Sequence, residues 1–278
     1  MTCYYPLPGL SHGIGSSLTY SVFTLNEATG ALRAPQRHPL DLALYRRPDA
    51  ATAWLLVDRL TPDACGDMVA RSEDYGLGPG DLLVAVPVSQ EARSEPQADL
   101  LPMPASKRVD RAPVAERCSL SFHWRGVSSS YQGEFPLRMA ELSRGTMVSF
   151  DPLLHAAVPG ALTLVCLVNI SRRDDPTPLR LEVFEAHSRR LLRTVSWRRN
   201  ACALLELPHG LDRDGELVLR SNDALGIPIF ITIASAHGPA SMSVEHTHPP
   251  TELFWEQDRI AGSRALKTTW LGASLQCP

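Results

Sequence analysis

The sequence predicts an all-β chain folded as two tandem, internally duplicated antiparallel β-sandwich domains. Three observations carry this: hydrophobic residues recur with a period of two, turn-forming residues separate short apolar runs, and four segments repeat in the same order. The chain has 278 residues, 44% of them hydrophobic and 21% charged, which is enough apolar surface for a core and suits two domains of ordinary size. Its 23 prolines and 18 glycines fit strands joined by turns better than long helices.

Residues 18–23 (LTYSVF) open the first copy and match residues 162–167 (LTLVCL). Residues 39–45 (PLDLALY) match residues 178–184 (PLRLEVF); leucine returns at every second position, as on a strand with one buried face. Residues 66–74 (GDMVARSED) match residues 215–223 (GELVLRSND), and each is followed by an apolar strand, at 82–88 and 227–234. Residues 119–122 (SLSF) match residues 241–244 (SMSV). Spacing between the matches places about ten extra residues in the second copy, in an Arg-rich hairpin, and about 27 in the first, in a mobile loop or linker. Short helices are expected at 134–143 and 252–266.

The domains are therefore 1–127, with a Pro-, Ala- and charge-rich loop at about 89–117, and 128–278, with the Arg-rich hairpin at about 187–200. Without a crossover helix the strands must pair antiparallel in face-to-face sheets. The architecture resembles that of immunoglobulin and fibronectin type III modules. The antibody spacing of Cys, Trp and Cys is absent, because Trp197 follows Cys166 by 31 positions and Cys202 comes almost at once.

Lys plus Arg is 27 and Asp plus Glu is 30, a formal charge of −3, so no global field attracts nucleic acid or an anionic membrane. The longest apolar runs, 161–168 and 227–234, are strand-sized and shorter than a membrane span. The N-terminal residues lack the basic and apolar regions of a signal peptide, which predicts a cytoplasmic protein. Six cysteines, Cys3, Cys65, Cys118, Cys166, Cys202 and Cys277, include no CxxC pair and read as reduced structural thiols.

Candidate chemistry begins with His246, His248 and Glu252. On a strand the two imidazoles point the same way, and a turn after Pro249-Pro250 brings the carboxylate round to a facial site for a divalent transition metal. This HxHxxxE spacing resembles the first metal motif of cupins. The competing reading packs His246 on the face of Met242 and Val244, opposite Trp124 in the repeat.

The second candidate is an anion- or partner-binding face formed by Arg189, Arg190, Arg193, Arg198 and Arg199, with Arg172, Arg173 and Arg180 nearby. Asp174, Asp175, Glu182 and Glu185 lie among them, so a solvated, salt-bridged strand face is the alternative. Two Gly/Ser segments, 12–17 and 126–130, lack the strand–GxSxG–helix context of a nucleophile elbow and read as turns. No phosphate loop or dinucleotide fingerprint is present. The shared corners Arg71-Ser72-x-Asp74 and Arg220-Ser221-x-Asp223 read as structural turns.

The expected function is that of a non-catalytic binding, structural or adaptor protein with a protein partner or a second copy of itself at sheet edges, the basic hairpin or the domain junction. Alternatives are a metal-dependent small-molecule enzyme or sensor, and acidic-polymer or glycan binding through the hairpin.

Overall fold

The computed structural model describes residues 3–25, 29, 32–33, 40–48, 53–92, 94–105, 108–109, 112–141, 146–150, 160–172, 177–185, 188, 190–207, 217–221, 228–235 and 240–246. Strands β1 (Cys3–Pro8), β2 (Gly15–Leu25), β3 (Leu32–Arg33), β4 (Leu40–Arg46), β5 (Trp54–Leu60) and β6 (Asp67–Arg71) lead to a 3₁₀ turn (Ser72–Tyr75). Then follow β7 (Leu82–Ser89), β8 (Gln97–Ala98), β9 (Arg108–Val109), β10 (Ala112–Trp124), β11 (Val127–Tyr131), β12 (Phe135–Pro136) and a short helix, α1 (Leu137–Glu141). Next come β13 (Thr146–Phe150), β14 (Leu162–Val168), β15 (Leu179–Glu185) and β16 (Leu191–Trp197). The last four are β17 (Cys202–Glu206), β18 (Leu217–Ser221), β19 (Ile229–Ala234) and β20 (Ser241–His246).

These strands form four antiparallel sheets, set like the four blades of a small propeller and not as two tandem immunoglobulin-like β-sandwich domains. In spatial order they are β12-β1-β7-β4-β5-β8; β11-β10-β2 with β3 and β6 also on β2; β13-β18-β15-β16; and β17-β14-β19-β20. The reason lies in burial. A sandwich domain encloses its own core, whereas here one apolar cluster runs from Tyr5, Leu18, Leu44, Val84 and Phe122 into Leu164, Cys166, Ile229 and Ile231 of the later strands. The alternate residues of β14, Val165 and Leu167, enter a second cluster with Leu181, Val183, Leu205 and Leu219. The β17-β14-β19-β20 sheet is thus buried on both faces and shared between two cores.

The first sheet is likewise covered on both sides at its centre: every residue of β1 and the first seven of β7 are buried, as are Leu40 to Tyr45 of β4. Its outer cover includes the segment expected to be a mobile loop. Leu101 is 0% exposed, the Tyr4 hydroxyl donates to the Pro102 carbonyl at 3.0 Å, and Ala105 N–H bonds the Pro87 carbonyl at 2.7 Å. Arg59 holds the start of this strap through donations to the carbonyls of Ser89, Gln90 and Ala92. Residues 94–105 form a strap pinned by buried Leu101 and Pro104, with residues 95–97, 99, 100 and 103 exposed.

What recurs between the halves is strand order: β1-β7-β4-β5 returns as β13-β18-β15-β16, and β6-β2-β10-β11 as β17-β14-β19-β20. The first two sequence matches fall on strands in like positions, β2 with β14 and β4 with β15. The third does not, since among the described residues β6 pairs with β2 alone while β18 lies between β13 and β15. The fourth sets β10, which β2 and β11 flank, against β20, which pairs only with β19. The insertion map built on those two matches falls with them, and the 127/128 boundary lies at the start of β11, which pairs with β10. The expected helix at 134–143 contains α1; residues 252–266 lie outside the described residues. Among the described residues no helix is long and apolar enough to cross a membrane.

Candidate functional site

His246 is the last residue of β20, paired with Ile229; His248 and Glu252 lie outside the described residues. Among the described residues no three His, Cys, Asp or Glu side chains are grouped to hold a metal ion. The arginines separate into two kinds. Arg198 donates to the Arg47 carbonyl at 2.8 Å and faces Asp81 at 3.4 Å, and Arg199 donates to the Thr177 carbonyl at 2.8 Å, so both tie the chain together. Arg180 and Arg220 both bind the buried Glu182 carboxylate, and Arg220 stacks 5.2 Å from the Phe184 ring. Arg190 and Arg193 are exposed on the β15–β16 hairpin. Arg173 and Arg189 lie outside the described residues.

The two arginine corners are therefore unlike each other. Arg71 makes a loose, exposed pair with Asp74 at 3.8 Å, whereas Arg220 serves a carboxylate only 6% exposed.

Among the described residues β16 is an edge strand, paired with β15 alone. Leu192, Val195 and Trp197 pack against the second core, while Arg193, Thr194 and Ser196 are exposed and Leu191 is 48% exposed. Its outer edge presents main-chain donors and acceptors over seven residues, the arrangement to which an extended segment adds as a further strand.

A cleft of about 660 Å³ lies at the other end of the molecule's sequence, over one end of β2 and β10, lined by Gly13, Gly15, Glu73, His123, Arg125 and Ser128. Two tight turns frame it. His12 and Gly13 have φ of 59° and 69° in a turn closed by Ile14 N–H on the Ser11 carbonyl at 3.1 Å; Arg125 and Gly126 have φ of 47° and 82°, the left-handed pair that the two-residue hairpin turn between β10 and β11 demands. Trp124 Nε1–H donates to the His12 carbonyl at 3.2 Å and so locks the turns together. Their tips reach the later strands: His12 Nε2 lies 2.7 Å from Glu206 Oε1, and Arg125, 4.8 Å from the Trp124 ring centre, donates to Ser235 Oγ at 3.2 Å.

Inside the cleft the imidazole and the carboxylate are each held by a buried serine. His123 stands opposite Gly15 on one side and Ser128 on the other, with its Nε2 2.8 Å from Ser17 Oγ. Ser72 Oγ accepts the Ser16 N–H at 3.0 Å and donates to Glu73 Oε2 at 3.3 Å. A Cβ at Gly15 would sit 3.6 Å from Glu73 Oε2, so the missing side chain leaves the floor open between carboxylate and imidazole. The arrangement suits hydrogen bonding to a polar ligand. It lacks the parts of acyl transfer: Ser17 lies within a strand, and among the described residues no carboxylate is bonded to His123.

Sequence reasoning had both walls of this cleft in hand, as the Gly/Ser segments 12–17 and 126–130, but treated each as an isolated turn. The usable signal was the pair of dipeptides His12-Gly13 and Arg125-Gly126, each at a tight turn. No family model, no curated protein and no solved structure matches the chain.

Proposed function

We propose that the chain is a non-catalytic binding protein, an adaptor or structural component, that takes an extended acidic segment of a partner protein along the outer edge of β16. The carrying observation is that, among the described residues, this seven-residue strand is paired on one side only, with exposed Arg193 on it and exposed Arg190 just before it. Main-chain hydrogen bonds supply affinity in such additions, and side chains set the partner. Charge selects the occupant. Two copies of β16 paired antiparallel about Thr194 would bring their exposed Arg193 side chains to diagonal positions, where like charges repel; carboxylates in those places are attracted.

A cytoplasmic setting belongs to the same proposal. The six cysteines include no CxxC pair, which suits structural thiols in a reducing compartment; Cys166 and Cys202 are buried with sulfurs 3.3 Å apart. The hydrogen bond between them, with burial, holds the Cys202 thiol well above its usual range, so it is unreactive.

The test is calorimetric titration of the full chain with matched extended peptides, one acidic and one basic. Preferential binding of the acidic peptide, weakened about tenfold or more by Arg190→Glu with Arg193→Glu, supports the reading. Equal binding of both peptides, indifference to the two substitutions, or a dimer broken by them in place of peptide binding overturns it.

A further inference from the structure

We infer that the cleft between the 3₁₀ turn and the β10–β11 turn is a separate binding site for a primary ammonium group. Four observations converge on it, and none depends on the β16 edge.

The first is charge. Glu73 has the Ser72 hydroxyl as a partner but no cation among the described residues, while its neighbours are occupied: Asp74 faces Arg71 and Asp58 accepts the Tyr75 hydroxyl at 2.9 Å. Arg125, the cation nearest by sequence to the cleft's other wall, is turned to Ser235 and the Trp124 ring. Among the described residues, one negative charge on the cleft wall is thus left without a paired cation.

The second is preorganisation. Ser72 is 6% exposed and Ser17 is 8% exposed, and each spends its hydroxyl on positioning a cleft group, Glu73 in one case and His123 in the other. A recognition site gains affinity when its polar groups are fixed by a supporting layer before the ligand arrives.

The third is acceptor count. An ammonium offers three donors. Placed above Gly15 it meets the Glu73 carboxylate on one side and His123 on the other, with Ser128 beyond the imidazole. With His123 in the tautomer whose Nε2–H donates to Ser17, Nδ1 is a further acceptor. The fourth is shape: Gly15 leaves the floor open, while Ile14, Leu77 and Val127 line the cleft with apolar surface for the carbon skeleton attached to the amine.

A primary amine of this size comes from an amino sugar or from a peptide, and the experiment separates them. Glucosamine and the tripeptide Lys-Gly-Gly are titrated into the full chain by nuclear magnetic resonance, each beside its N-acetylated counterpart. Binding of either amine with loss of binding on acetylation supports the site, and the arm that binds names the source. Glu73→Gln should weaken that binding about tenfold, and Gly15→Val, whose side chain enters the open floor, should abolish it with the fold retained. Acetylated and free ligands binding alike, no amine binding at about 10 mM, or binding untouched in both variants overturns the inference. The β16 titration uses another strand and other variants, so either result stands without the other.

Discussion

Gly9 offers the sharpest test of how the halves are joined. A Cβ there would lie 2.0 Å from the Gly78 oxygen, 2.9 Å from its carbonyl carbon and 3.2 Å from the Leu77 carbonyl carbon. All three are main-chain atoms, so no rotamer relieves the clash, and Gly9→Ala must drive the 77–81 turn away from the end of β1. Two backbone hydrogen bonds hold them together, Gly9 N–H to Asp81 at 2.8 Å and Gly80 N–H to Gly9 at 3.2 Å. Losing both costs about 2 kcal/mol, and residual overpacking adds about 1–3 kcal/mol, a total of roughly 3–5 kcal/mol. For a chain of this length that lowers Tm by about 6–20 °C.

The damage should reach the later strands, because the same turn receives Cys202 N–H on the Gly80 carbonyl at 3.2 Å and carries Asp81, which binds Arg46 at 2.8 Å and faces Arg198. Gly13→Ala is the control. Its Cβ meets nothing within 4 Å, but φ is +69°, so the cost is the left-handed penalty alone, about 1–2 kcal/mol. Urea denaturation followed by tryptophan fluorescence measures both. Arg198→Ala should also cost less in the Gly9→Ala background than in the wild type, since Asp81 has already moved. Gly9→Ala within 1 kcal/mol of wild type, or a larger loss at Gly13 than at Gly9, would refute the reasoning.

Three other perturbations test separate parts of the fold. Arg59→Ala leaves the Asp41 carboxylate, 7% exposed and 2.8 Å from Arg59 Nε, without its cation, at a cost of about 3 kcal/mol; limited proteolysis should then cut near residues 89–92, and Arg59→Lys should not restore protection. Asn200, at φ 56°, accepts the Ser171 N–H at 2.6 Å through its side chain. Asn200→Ala should therefore cost about 2–4 kcal/mol by thermal unfolding, with Asn200→Gly recovering only the backbone share. Burial, foremost in each case, raises Tyr4, Tyr45, Tyr75 and Tyr131 above the usual phenol range. Their contribution to stability is full below pH of about 10 and is lost as pH rises beyond it, because the unfolded chain ionises first. Phenolate absorbance from these four should appear together with unfolding; reversible ionisation near pH 10 in folded protein would count against it.

The strands were legible and their neighbours were not. Period two in β15 correctly put Leu179, Leu181 and Val183 in the interior, and in β19 isoleucines 229, 231 and 233 face the first core. The continuous run LTLVCLV of β14 carried a different message, burial on both faces. Only the tertiary partners reveal it, because the second face enters a cluster built largely from the first half of the chain. The repeat was misaligned for a related reason. Arg-Ser-x-Asp after a strand is turn chemistry that any strand end can use, and it says nothing about which strands lie alongside.

Composition misled at the strap as well. Pro, Ala and charge between 89 and 105 suggested mobility, yet a proline without an N–H still offers its carbonyl. Pro96 accepts Leu56 N–H at 2.9 Å and Pro102 accepts the Tyr4 hydroxyl, so an extended proline-rich segment can be fixed by donors from the strands it crosses. The cleft follows the same logic in reverse. Each wall is a local turn with an ordinary sequence, and its chemistry arises where β2 and β10 pair Gly15 with His123 and β6 delivers Glu73 beside them. A histidine, a glycine and a glutamate separated by 108 and 58 positions become one site through strand register, and a slip of one residue in that pairing would turn His123 to the opposite face of the sheet.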